Sequence, residues 1–253
     1  MKKIIFKFIE KFGYTIARKK ADPVTTCPDI KEAGFWETYN FCKPYSMAGA
    51  ERMYALYNSV NYVLSANITG DFVECGVWRG GSAMMIAKIL VDRNITDRNI
   101  YLYDTFEGMT APTAADINIV GQDATAMLEQ NELNKDSTIW CYADLEDVQR
   151  NMKSTGFSPQ NMIYVKGKVE DTIPGTMPAK NIALLRLDTD WYESTKHELI
   201  HLFPKLQSKA VLIIDDYGHW EGCKKAVDEY LDENKIQILL DRVDYTCRVG
   251  VKM

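Results

Sequence analysis

The chain has no run approaching the roughly 18 apolar residues that a membrane-crossing helix requires, so no transmembrane segment is expected. Its six cysteines (Cys27, Cys42, Cys75, Cys141, Cys223 and Cys247) form no CxxC pair. That spacing argues against a zinc knuckle and fits a reduced, cytoplasmic setting. Histidine is scarce: His197 and His201 sit one helical turn apart but lack a third zinc-type ligand nearby, which points to a helix surface. No excess of basic residues exists either; the net charge of -5 counts against nucleic acid as a partner. Neither G-x-G-x-x-G nor the Lys-Ser/Thr of a phosphate loop follows the main glycine turn, which weakens dinucleotide and nucleoside triphosphate readings. No internal repeat or low-complexity tract stands out.

What is present is an ordinary globular composition. The 253 residues, 46% hydrophobic and 26% charged, suit one large α/β domain. At the N-terminus Ile4, Ile5, Phe8, Ile9 and Phe12 share one helical face opposite lysines, and Lys7, Glu10 and Lys11 interrupt the apolar core that a signal peptide would need. Such a helix can pack on the body, pack on a second subunit of a homodimer, or attach weakly to an anionic membrane surface. The pattern divides the chain into an N-terminal helix with its connecting segment, residues 1–45, and a domain over residues 46–253. Within the connection, Lys19 to Pro28 breaks the periodicity with two prolines.

A helical pattern covers Ser46 to Ala66, and strands then alternate with helices. Strands are predicted at Phe72–Val77, Ile100–Asp104, Met162–Val165, Ile182–Leu187 and Ala210–Ile214. Helices are predicted at Ser82–Asn94, Ala124–Gln130 continuing into Leu145–Ser154, Ser194–Leu206 and Gly222–Glu233. Two last apolar segments, Ile236–Leu240 and Thr246–Val251, flank the polar Asp241-Arg242-Val243-Asp244 as a closing hairpin. This order implies a doubly wound, mostly parallel sheet with one reversed strand. Gly108–Gly121 reads as an ordered loop or lid over the carboxyl edge.

Two of these strands end in carboxylate doublets, Asp188 and Asp190 after Leu187, and Asp215 and Asp216 after Ile214. In open α/β sheets ligands bind beyond the carboxyl ends of the strands. Carboxylates gathered there repel unless a cation or protons compensate them, and hard divalent metals take oxygen ligands. Capping and loop solvation are the bland alternative for these aspartates. The first strand runs through Glu74 and Gly76 to Gly80, where glycine lets the backbone approach a ligand. Asp104, at the end of the second strand, can accept from ribose hydroxyls. Glu74 can meet an ammonium or an ordered water, Val169 can cover an adenine ring, and Glu170 or Asp171 can accept from its amine; Asp171-Thr172 equally suits an N-cap. A ribose and an ammonium without phosphate match S-adenosylmethionine. Among the aromatics near the pocket, Trp191, Tyr192 and Trp220, with the loop residue His219, are candidate substrate contacts, whereas Trp78, Tyr217 and the cation Arg79 stay open.

Taken together, Gly70–Ser82, Tyr103–Met109, Leu187–Thr195 and Ile213–Gly218 resemble the macrocin O-methyltransferase family over about Ser46 to Lys252. The first 40 or so residues carry no clear match. The resemblance implies a class I methyltransferase (Rossmann-like) α/β fold, with a seven-stranded, mostly parallel sheet and a C-terminal antiparallel hairpin. It also implies S-adenosylmethionine and Mg²⁺ as cofactors, and methyl transfer to a sugar hydroxyl of a glycan or glycosylated metabolite. Carried onto this sequence, Asp188, Asp215 and Asp216 would ligate the metal and Asp190 would be the base. Glu74, Gly76, Ser82, Asp104, Val169 and Glu170 would line the cosubstrate site. Two other readings stay open: a catechol-like phenolic acceptor, which offers a metal nearly the same two oxygens, and a non-catalytic nucleoside-binding protein.

Overall fold

Every residue of β1 (Asp71–Cys75) and of β4 (Ile182–Leu187) is buried, because both faces of the parallel sheet are covered; Asp71, Glu74 and Arg186 are the charged exceptions among their apolar residues. The computed structural model describes residues 27–131 and 138–253. It joins β1 and β4 to β2 (Ile100–Asp104), β3 (Met162–Lys166), β5 (Leu206–Ile214), β6 (Asp241–Arg242) and β7 (Arg248–Val251). One seven-stranded sheet results, in the order β3-β2-β1-β4-β5-β7-β6. The pairs from β3 to β5 are parallel, and β7 runs antiparallel to both β5 and β6. The expected helix over Ile4–Phe12 lies outside the described residues. By its contacts the chain divides after Lys31, and the unit described below is Glu32–Met253.

Helices α1 (Ala33–Cys42), α2 (Ala50–Ser65) and α3 (Gly81–Asp92) pack on one another, with α2 also against β4 and β5. Between β2 and β3 come α4 (Ala124–Gln130) and α5 (Leu145–Lys153), and after β3 the short α6 (Val169–Thr172). A second group forms where α7 (Tyr192–Leu202) packs against α6, β4 and α8 (Glu221–Glu233).

Register places the site. Cys75 pairs with both Tyr103 and Leu187, and Leu187 pairs with Ile214. The residues that follow, Gly76, Asp104, Asp188 and Asp215, therefore emerge level along one sheet edge. The chain leaves β1 toward β2 and returns to its other side with β4, so the crevice between them is the switch point of the topology.

Several boundaries differ from the sequence expectation. The hairpin is present, but its first strand is the polar pair Asp241–Arg242 instead of Ile236–Leu240. The Asp244 side chain accepts from the Thr246 and Cys247 N–H groups (2.9 and 2.8 Å), which closes the turn later than apolar content indicates. Helix α7 ends at Leu202, because Pro204 converts the next turn to a 3-10 helix, and β5 then begins at Leu206, earlier than expected. Helices α4 and α5 are separate. Strand β1 stops at Cys75, since Gly76 takes a φ of +80°.

Candidate active site

Along the β1–β2 side, main-chain geometry dominates. Gly76 could not be another residue without movement: a Cβ there would lie 2.0 Å from the Asp188 carbonyl oxygen. That closeness follows from the Asp188 N–H, which donates to the Cys75 carbonyl at 2.8 Å. Asp104 accepts from the N–H groups of Val77 (2.7 Å), Trp78 (3.2 Å) and Phe106 (2.7 Å). Trp78 and Phe106 reach it from left-handed backbone, at φ +48° and +52°, a conformation that non-glycine residues adopt only when held. Burial raises the Asp104 carboxyl above its usual pKa, and these N–H groups limit the rise. The carboxylate thus ties the glycine turn to β2.

The β4–β5 side is held by charge. Arg186, near the carboxyl end of buried β4, donates to Glu74 Oε1 (2.6 Å), Asp188 Oδ2 (2.7 Å) and Asp215 Oδ1 (2.8 Å). From α2, Arg52 binds the other Asp215 oxygen at 2.5 Å and approaches Asp244 at 3.3 Å. Burial pushes Asp215 up, yet the two guanidiniums overrule it and hold the carboxyl below the usual range. Asp188 is driven well above that range by burial and by Asp215 and Asp216, against the pull of Arg186. Burial and the charges of Asp190 and Asp215 do the same to Asp216. Asp190 rises to about 7, through burial above all; it shares hydrogen bonds with Asp216 and with the Trp220 side chain and stands at φ +68°. Six carboxylates, counting Glu74 and Asp244, surround two guanidiniums.

A divalent cation fits this donor set. Oxygens of Asp188, Asp215 and Asp216 lie within 4.8 Å of one another, they are hard ligands, and when ionised the carboxylates here outnumber the two arginines. Among the described residues no other group of three or more acidic, Cys or His side chains is so arranged.

A cavity of about 530 Å³ joins the two sides. Gly76, Ser82, Asp104, Val169, Glu170, Asp188, Asp190, Asp215, Asp216, His219 and Trp220 all line it. Glu74 does not: it lies beneath, on Arg186, with Oε2 buried and unpartnered. Gly80 is the left-handed N-cap of α3, packed against Val148 and Met152. Trp191 points under the Gly108–Gly121 loop, where its indole donates to the Thr110 carbonyl (3.1 Å) and meets the Trp220 ring edge-on. Tyr192 opens α7 and turns away, its hydroxyl on Glu229 at 2.6 Å. Asp171 is not a cap, since Lys168 occupies that place for α6. His197 binds the Ile173 carbonyl (2.8 Å) beside His201, and Arg79 pairs with Asp147 at 2.7 Å.

The loop is ordered across the edge by Asp116. Its buried carboxylate accepts from the Tyr192 N–H (2.8 Å) and from the Thr113 N–H and hydroxyl (2.6 and 2.9 Å). Ile119 N–H adds a bond to the His219 carbonyl at 2.8 Å.

Comparison with known proteins identifies the relatives of this arrangement. The model of the family described as macrocin-O-methyltransferase (TylF) matches residues 15–250. The chain belongs to this family. The match begins well before Ser46, so the segment without a visible resemblance is largely part of it. The chain is 34% identical over 186 residues to demethyldecarbamoylnovobiocin O-methyltransferase of Streptomyces niveus, covering 74% of this chain and 67% of the relative. It is 33% identical over 202 residues to 8-demethyl-8-(2,3-dimethoxy-alpha-L-rhamnosyl)-tetracenomycin-C 4'-O-methyltransferase of Streptomyces olivaceus, covering 80% and 73%. Among solved structures, the O-methyltransferase NovP superposes with a TM-score of 0.70 at 30% identity, covering 83% of this chain and 82% of that one. The fold is that of class I methyltransferases, and the protein is an S-adenosylmethionine-dependent O-methyltransferase by class.

Three contributors to this macrocin-type site escaped sequence reasoning. Arg186 had a signal, since a cation inside the run Leu184-Leu185-Arg186-Leu187 must find buried partners. Arg52 on an amphipathic helix and Asp116 within a polar loop had none.

Proposed function

We propose that the protein moves the methyl group of S-adenosylmethionine to a sugar hydroxyl of a glycan or glycosylated metabolite, with Mg²⁺ held by Asp188, Asp215 and Asp216. The carrying observation is the set of three carboxylates whose oxygens converge within 4.8 Å on the cavity wall. A relative that by its name acts on a rhamnosyl-bearing tetracenomycin supports a sugar acceptor.

A sugar hydroxyl is a weak nucleophile at neutral pH. The bound cation would supply Lewis-acid stabilisation of the developing alkoxide. Arg186 and Arg52 keep Asp215 ionised and in place, so that a ligand is ready without a proton to lose. Asp190, oriented by Trp220, takes the hydroxyl proton onto its carboxylate. The oxygen then forms its bond to the methyl carbon while the carbon–sulfur bond breaks, its electron pair staying on sulfur. Gly76 admits the donor close to the backbone, and Asp104 fixes the turn against which the ribose lies. Holding oxygen, carbon and sulfur in line provides the rest of the acceleration.

The test is calorimetric titration with S-adenosylhomocysteine, then turnover on diol-bearing glycosides with Mg²⁺ or EDTA. Binding with Mg²⁺-dependent turnover is expected. Turnover that persists in EDTA contradicts the metal assignment, and absence of binding contradicts the donor site.

A further inference from the structure

Glu198, on α7, is fully buried, and among the described residues no cation pairs with it. Its carboxyl receives the Thr189 hydroxyl at 3.0 Å on Oε1 and 3.2 Å on Oε2. The Cys75 thiol is its other side-chain partner. Burial pushes this carboxyl well above its usual range. A buried acid without a counter-charge is costly, and an apolar side chain would fill the same helix position without that cost. The acid therefore calls for a reason.

Thr189 supplies one. It stands between Asp188, which Arg186 holds at 2.7 Å, and Asp190, which bonds to Asp216 and Trp220. Upstream, the Asp188 N–H is fixed on the Cys75 carbonyl; downstream, the Thr189 carbonyl accepts the Trp191 N–H at 2.8 Å. Asp190 in between keeps a left-handed backbone that surrounding structure must enforce. The Thr189 hydroxyl is the shorter of two side-chain tethers from this residue to α7; the Ser194 hydroxyl adds a longer one, 3.4 Å, to the Thr189 carbonyl.

We infer that Thr189 and Glu198 form a positioning pair that fixes how Asp188 and Asp190 diverge, one carboxylate toward the cation and the other toward the acceptor proton. The inference rests on the proposed function and deepens it. Neither residue touches the reacting atoms in this account; both act through the loop.

The experiment compares Thr189→Val, Glu198→Gln, Glu198→Ala and the double variant Thr189→Val/Glu198→Ala. Readouts are kcat, KM for both substrates, calorimetric affinities for S-adenosylhomocysteine and Mg²⁺, and melting temperature. Thr189→Val should lower kcat about 10- to 100-fold, as expected of a small misplacement. Its S-adenosylhomocysteine affinity should stay within about twofold and its melting temperature within about 2 °C of the parent. Glu198→Gln, which still presents an oxygen to Thr189, should keep kcat within about threefold. The double variant should be no worse than the poorer single one, because both break the same contact. Wild-type kcat in Thr189→Val overturns the inference, as does Glu198→Gln falling as far as Glu198→Ala, or a double loss equal to the product of the singles. If Glu198→Ala does not fold, Thr189→Val and Glu198→Gln decide alone. An Asp190→Ala control separates the levels: full activity there defeats the proposed function itself, whereas an inactive Asp190→Ala beside a normal Thr189→Val defeats only the pair.

Discussion

Asp104 and Asp215 each follow a buried parallel strand on the same sheet edge, yet their surroundings differ in kind. Asp104 is surrounded by main-chain N–H groups from the glycine turn and from Phe106. Asp215 is clasped by two guanidiniums and crowded by Asp188 and Asp216. Dipoles fixed by the backbone stabilise one carboxylate without adding charge. A field of several charges must be balanced as a whole, and here the arginines leave the balance negative. The donor side is therefore complete as folded, while the carboxylate side calls for a cation or for protons.

The sharpest way to break this contrast is Asp216→Ala. Asp216 has no arginine of its own, so its loss leaves both ion pairs intact. We expect kcat to fall about a thousandfold, about 4 kcal/mol, with S-adenosylhomocysteine affinity unchanged in calorimetry. Gly76→Ala should strike the other side. With φ +80° and a Cβ 2.0 Å from the Asp188 carbonyl, it should lose about 3–4 kcal/mol in denaturant unfolding and weaken donor binding.

Glu74 tests the unbalanced charge through pH. Burial, only partly offset by Arg186, raises its carboxyl from 4.5 to about 7. The folded state thus holds a proton that the unfolded chain releases. That contribution is full below about 4.5 and is lost as pH rises through about 7. Stability of the metal-free protein should fall over this window, by up to about 3 kcal/mol from this group. Glu74→Gln should flatten the slope in melts at stepped pH; an unchanged slope would assign it elsewhere. The smallest effect belongs to Asp104→Asn, which weakens the turn's acceptor. Donor affinity should drop about tenfold, about 1.4 kcal/mol, with Mg²⁺ affinity unaltered.

Much of this contrast was legible before the fold was known. Apolar runs ending in acids placed β2, β4 and β5, the glycine turn placed β1, and together they brought Gly76, Asp104, Asp188, Asp190, Asp215 and Asp216 to one cavity. Direction was harder to read than proximity. Trp191 and Tyr192 follow an acidic doublet, but α7 begins at Tyr192 and swings both away. Glu74 precedes the glycine turn, yet the strand sends its side chain beneath Arg186. Strand β6 was invisible because two polar residues owe their conformation to pairing with β7. Arg52 was invisible for a different reason, since its partners Asp215 and Asp244 lie far along the chain.

The most direct test of a cation-requiring carboxylate side is calorimetric titration of Mg²⁺ into the protein saturated with S-adenosylhomocysteine, repeated on Asp216→Ala. One ion should bind per chain in the parent, and binding should be lost in the variant. No Mg²⁺ binding in the parent, together with turnover in EDTA, would contradict it.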